Sequence, residues 1–154
     1  MDSHAHLWSE ISSLVRGLKD LNNSAIAASG LRLEAAGVHV IGRLAVLGPV
    51  RLTELASALG LDPSSVSRQV SAVERAGYVV REPDPSDGRA TRLVLTERGQ
   101  AAATAVQEKR AQALAVLTPG WTDHDLDELA AQLARLNHDL TANAQLLGAV
   151  LETA

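Results

Sequence analysis

The stretch "RLTELASALGLDPSSVSRQVSAVERAGYVV", residues 51–80, decides the fold. Thr53 is placed to cap a short helix whose buried face is Leu55, Ala56 and Leu59. Gly60 ends that helix and allows a sharp turn. Asp62 then caps a second helix with Pro63 at its first position, where a missing N–H costs nothing. Val66, Val70 and Val73 recur at i, i+4 and i+7 and give this helix one apolar stripe, which Gly77 terminates. Two short helices joined by a glycine-bearing turn read as a helix-turn-helix.

The other face of the second helix carries Ser64, Ser65, Ser67, Arg68, Gln69 and Ser71. Small side chains let a backbone come close to a surface, and Arg and Gln can bond base edges bidentately. The N-terminal N–H groups offer a phosphate site. A serine-rich solvent face has the same composition, so both readings stay open on this helix alone.

Downstream, "REPDPSDGRATRLVLT" (residues 81–96) places breakers between two strand-like runs, 78–81 and 91–95. A hairpin directly after a helix-turn-helix makes a winged helix. Arg89 then falls at the hairpin tip, slim enough to reach a minor groove whose negative potential attracts an inserted Arg. Asp87 is placed to pair with the Arg89 guanidinium, and Gly88 to permit the tight turn between them. The alternative is a surface ion pair with no partner beyond the protein. Arg51, Thr53 and Arg92 complete the candidate DNA contacts.

Upstream, Leu7, Ile11, Leu14, Val15, Leu18 and Leu21 follow helical spacing and predict a helix over about residues 5–28. Gly17 inside it suggests a close approach by a neighbour. A second helix carries Val40, Ile41, Leu44 and Leu47 and stops at Gly48-Pro49. Beyond the hairpin, Thr96 caps an Ala-rich helix that runs to about Leu117, and "TDHD" (122–125) starts the last one. Leu126, Leu129, Leu133, Leu136, Leu140, Asn143, Leu147 and Val150 step by three and four, a heptad seam broken by one polar residue. Such a seam serves a dimer interface or an internal core stripe; on a small winged domain the first is the expectation. The predicted fold is mainly α with a small β-hairpin. Its parts are N-terminal helices for dimerisation and support (1–50), a winged helix-turn-helix (51–96) and C-terminal dimerisation helices (97–154), all in a single compact domain.

Composition fits a globular chain: of 154 residues, 46% are hydrophobic and 21% charged, which excludes a disordered polymer. No run approaches a membrane span and the N-terminus has no signal-peptide pattern, so the setting expected is cytoplasmic. Without Cys there is no thiolate metal site and no thiol sensor. The chain is acidic overall, −4, yet residues 43–92 hold seven Arg against six acids. A locally basic face matters more for nucleic acid than the total. No Gly-rich phosphate loop, nucleophile motif or carboxylate pair points to an enzyme, and no cofactor is expected.

The whole chain resembles the multiple-antibiotic-resistance regulator (MarR) family. The resemblance rests on residues 52–81, then Asp87-Gly88-Arg89, then "LTERG" from Leu95 to Gly99. It implies a homodimeric transcription factor whose first and last helices intertwine, reading a pseudo-palindromic duplex and mostly repressing until a lipophilic ligand releases it. It further implies the helix from Pro63 to Gly77 in the major groove and Arg89, supported by Asp87, in the minor groove. Many members carry a second Arg where this chain has Gly88, so the wing here supplies one cation fewer. Zinc-responsive members cluster His and carboxylates; His4, His6, His39, His124 and His138 are scattered, and no metal site is expected. The ligand expected is a small aromatic or lipophilic acid, held where the first, second and fifth helices meet the winged domain. Trp8, Ile11, Val15, Leu18, Leu44 and Leu47 would line that cavity, with Arg16 and His39 as polar handles. Arg16 on the surface and His39 on a helix flank is the plainer alternative. A dimeric winged-helix module that binds protein or ligand without DNA is the other function class; it would expose more apolar and aromatic anchors.

Overall fold

The computed structural model describes residues 2–143 and 146. Among these, six helices and one antiparallel hairpin follow in the order α1 (Ser3–Ala28), α2 (Ala35–Leu47), α3 (Leu52–Leu59), α4 (Pro63–Arg75), β1 (Val79–Asp84), β2 (Asp87–Leu95), α5 (Glu97–Leu117) and α6 (Asp123–Ala142). The fold is mainly α with a winged helix-turn-helix at its centre. Contacts group the chain into two units, Met1–Leu114 and Ala115–Ala154.

The core of the first unit gathers one stripe from each element around the helix-turn-helix. Val40, Ile41 and Leu44 of α2 meet Leu55 and Ala56 of α3 and Val66, Val70 and Val73 of α4, with Val79, Leu93 and Ala102 closing the side toward the wing. Each of these larger side chains, once fully buried, contributes roughly 1.5–3 kcal/mol. Helices α2 and α4 touch closely at Gly37, where an added Cβ would lie 3.0 Å from Val73 Cγ1. Gly17 behaves differently from expectation: nothing lies within 4 Å of the position a Cβ would take.

Helix ends follow local chemistry. Gly48, Gly60 and Gly77 take positive φ after α2, α3 and α4, where an L side chain would be strained. The cap of α3 is a correction: Arg51, not Thr53, occupies the N-cap, and Glu54 reaches back to accept the Arg51 N–H at 2.7 Å. Thr53 sits inside the first turn, exposed.

Two features of the wing escaped the sequence. Val50 forms an isolated bridge with Leu93, whose N–H donates to the Val50 carbonyl at 2.7 Å. The base of β2 is thereby held on both edges. The strands also reach farther than expected, so the turn falls at Pro85-Ser86.

The junction with α5 explains "LTERG". Thr96 Oγ1 donates to the Gly77 carbonyl at 2.8 Å and accepts the Gly99 N–H at 3.0 Å. Arg98 donates to the Ala76 carbonyl at 2.7 Å and lies over the Tyr78 ring, 4.4 Å from its centroid. A Cβ at Gly99 would fall 2.1 Å from the Tyr78 carbonyl oxygen, so only glycine fits.

In the second unit, Thr122 caps α6 and Asp125 returns the bond to the Thr122 N–H at 2.7 Å. That exchange holds the Asp125 carboxyl below its usual range, chiefly through the Thr122 hydroxyl. Leu126, Leu129, Leu133 and Leu140 stand exposed along α6. Asn143 is the C-cap residue, its side chain donating to the Asp139 carbonyl at 2.8 Å. Leu147 and Val150 of the predicted seam lie outside the described residues.

Candidate nucleic-acid interface

Helix α4 is started by Asp62, whose carboxylate accepts the Ser65 N–H at 2.9 Å and the Ser64 hydroxyl. The Ser64 and Ser65 hydrogen bonds hold this carboxyl well below the usual range, so it is ionised at neutral pH. Ser65 N–H is therefore committed to Asp62, and of the first-turn donors Ser64 N–H remains for a phosphate, because Pro63 has none. Ser64 and Arg68 are exposed, while Ser65, Ser67, Gln69 and Ser71 are half-buried. Ser71 turns its hydroxyl back to the Ser67 carbonyl at 2.9 Å. Arg68 is the cation this face presents, its guanidinium resting 3.4 Å from the Ser65 hydroxyl.

The wing departs from the sequence reading in its register and in its turn. Pro83 has no N–H to continue the ladder, and the register breaks beside it: Pro83 faces Thr91, whereas Asp84 faces Asp87. Gly88, Arg89 and Ala90 are left without partners on β1, a bulge in β2 rather than a turn. Arg89 therefore projects from the bulge and not from the tip. Gly88 is not among the glycines of positive φ, so it does not make the turn. Instead Asp84 Oδ1 accepts the Ser86 N–H at 2.8 Å and the Ser86 hydroxyl at 2.7 Å, closing an Asx-type turn.

Asp87 accepts the Arg89 backbone N–H at 3.1 Å, not its guanidinium. The Asp87 carboxylate faces Arg51, with 3.6 Å between Oδ2 and Nη2. Arg51 Nε donates to Asp84 Oδ2 at 2.6 Å. Together the Ser86 donors and the Arg51 guanidinium hold the Asp84 carboxyl well below the usual range. Arg92 is paired across the strands with Glu82 at 3.3 Å, and Arg81 with Glu74 of α4 at 3.2 Å. Among the described residues Arg89 has no ion-pair partner for its exposed guanidinium. Of the cations expected to meet DNA, Arg68 and Arg89 point outward uncommitted to carboxylates, and Arg51 and Arg92 do not. Asp84 was missed; its only local signal was the Pro-Ser turn that follows it.

The predicted ligand residues are not brought together. An open cavity of about 640 Å³ lies between α2 and α5, lined by Val38, His39, Arg43, Val46, Gln107 and Arg110 among others. His39 is there, 3.4 Å from Asn22, whose carbonyl oxygen receives Arg110 at 2.6 Å. Trp8, Ile11, Val15 and Arg16 are absent from the lining; Trp8 is 70% exposed and Arg16 leans on Ser13 of its own helix. Leu44 belongs to the core.

A profile of the MarR family matches residues 33–91, from just before α2 into β2. YxaD, an uncharacterized HTH-type transcriptional regulator of Bacillus subtilis (strain 168), is 32% identical over 105 residues, 68% of this chain and 73% of YxaD. The chain belongs to the MarR family. Solved MarR-like folds agree: a MarR family protein from Bacillus stearothermophilus superposes with a TM-score of 0.80 at 22% identity, covering 90% of this chain and 96% of that one. Transcriptional regulator Tm0710 of Thermotoga maritima gives 0.63 at 26% identity, covering 94% and 99%. This MarR-family chain is thus a DNA-binding transcriptional regulator by kinship, and YxaD is likewise described as an HTH-type transcriptional regulator. Among the described residues of this MarR-family chain, no helix is long and apolar enough to cross a membrane.

Proposed function

We propose that the chain is a homodimeric repressor that binds a pseudo-palindromic duplex and is released by a small aromatic or lipophilic acid. Residues 51–96 form the reading head. Helix α4 lies in the major groove with Ser64, Arg68 and Gln69 toward the bases, and Arg89 enters the adjacent minor groove. The observation that carries this reading is the exposed Arg89 guanidinium, held out on a bulge and paired with no carboxylate among the described residues. Arg contacts to phosphate and groove displace counterions, so affinity falls steeply with salt.

Dimerisation is supported by apolar residues left exposed on α1, including Trp8, Val15 and Leu18, and on α6. A two-fold dimer mirrors a two-fold operator, with half-sites about one helical turn apart. The ligand is assigned to the α2–α5 cavity, where His39, Arg43 and Arg110, the last already on Asn22, offer hydrogen-bonding groups beside apolar walls and one carboxylate, Glu108. If it favours a protein shape that DNA does not, each must weaken the other by the same factor.

The test is fluorescence anisotropy of a labelled duplex taken from upstream of the chain's own gene, over a salt series, with and without aromatic acids. Wild type should bind with a negative salt slope, and Arg89→Ala should bind more weakly while folding and assembling normally. Arg68→Ala should change the preference among operator variants. Absence of binding at low salt would favour a protein- or ligand-binding module instead. An acid that binds free and DNA-bound protein equally is no inducer.

A further inference from the structure

Two carboxylates beside the surface that must meet a polyanion are unfavourable unless they serve another purpose. Asp84 and Asp87 flank the wing turn, and both face the same guanidinium, that of Arg51 at the start of α3. Asp84 is the more enclosed, its side chain 13% exposed. Each carboxylate has a second task at its other oxygen: Asp84 holds Ser86 in the turn, and Asp87 holds the Arg89 N–H in the bulge. One cation therefore reaches both flanks of the hairpin's outer end. The base is fixed separately, by the Val50–Leu93 bridge and by Arg81 on Glu74.

We propose that Arg51 is a positioning residue for the wing, acting through Asp84 and Asp87 to fix the bulge that carries Arg89, and that it is not itself a DNA contact. This inference rests on the reading that Arg89 binds DNA. A two-stranded hairpin is marginal by itself, and the bulge removes ladder bonds where rigidity matters most. An untethered outer end would have to be ordered on binding, and that cost comes out of affinity. A guanidinium already facing two carboxylates is a poor site for a phosphate, which would meet their negative charge.

The carboxylates make the proposal sharp, because simple electrostatics and positioning predict opposite signs. The full-length chain carrying Asp84→Asn loses a negative charge near DNA, which by charge alone strengthens binding. Positioning predicts that it weakens binding about fivefold, within what a partly exposed ion pair supplies. Arg51→Ala should weaken binding of the same upstream duplex similarly in the wild-type background, yet have no effect once Arg89→Ala is present. In the free protein, the ¹⁵N–¹H heteronuclear NOE at the Arg89 amide should fall in Arg51→Ala and in Asp84→Asn. Tighter binding by Asp84→Asn, an unchanged NOE, or additive losses in Arg51→Ala/Arg89→Ala would each overturn the proposal, the last by making Arg51 a direct contact. Arg89→Ala binding like wild type would overturn the Arg89 reading itself, and this inference with it.

Discussion

Gly88 is a residue whose identity the fold does not demand. Its φ lies outside the left-handed region and nothing stands within 4 Å of where its Cβ would be. The resemblance places a second Arg at this position in many relatives, and the bulge here has room for one. Gly88→Arg should leave stability within about 0.5 kcal/mol, as for surface changes away from special features. It should tighten DNA binding and steepen the plot of log affinity against log salt by about 0.9 if one more phosphate is met. Anisotropy at several salt concentrations reads both. An unchanged slope would mean that residue 88 faces away from the duplex. Arg89, one residue on, is held at its backbone by Asp87 and is free only at its head. Among the described residues the wing thus presents one uncommitted cation, and its affinity depends on how well that one is aimed.

At the scale of elements, the residues that start and stop helices act over three or four positions, and those were legible. Asp62-Pro63 before α4, Gly48 and Gly77 after α2 and α4, and Thr122 with Asp125 at α6 lie where the sequence puts them. The α3 cap was misread because Arg51 is an unlikely cap by type, and it is the Glu54 side chain that closes the turn. The wing was legible only in outline. Its register depends on which of two prolines interrupts the ladder, its third edge is the single residue Val50, and its anchor joins Arg51 to Asp84 across the whole of α3 and α4. None of these has a local period. The α5 junction shows the same limit: Gly99 was visible as part of a motif, but its reason is the Tyr78 carbonyl that a Cβ would strike. Gly99→Ala should therefore cost about 1–3 kcal/mol, as overpacking does. A thermal melt should show it as a lower midpoint. A midpoint equal to wild type would mean that α5 shifts freely against the end of α4, contrary to the Thr96 and Arg98 bonds.

For the whole molecule, the open question of the sequence was whether the α6 stripe packs inside the chain or against a second copy. The exposure of Leu126, Leu129, Leu133 and Leu140 favours the second, and α1 repeats the pattern with Leu7, Trp8, Leu14, Val15 and Leu18. Monomeric proteins rarely leave contiguous apolar faces of this kind to water. A truncation after Leu117 should be monomeric or insoluble, but loss of the helix confounds folding with assembly. Leu133→Glu separates them, because a side chain exposed within its own chain adds little to that chain's stability. It should leave helical content and the melting of the winged unit near wild type while shifting sedimentation from dimer toward monomer. DNA binding should then fall by a large factor. Two linked reading heads gain about 10²–10⁴ over one, since the second half-site is met at an effective concentration set by the dimer. A heptad seam placing a buried charge at its centre leaves no partner for the carboxylate, so a modest amount of dimer at high protein concentration is all that should remain. If Leu133→Glu sediments as wild-type dimer, α6 is not the seam, and the exposed face of α1 must carry assembly alone. Unfolding of the whole chain by this one substitution would instead restore the internal stripe.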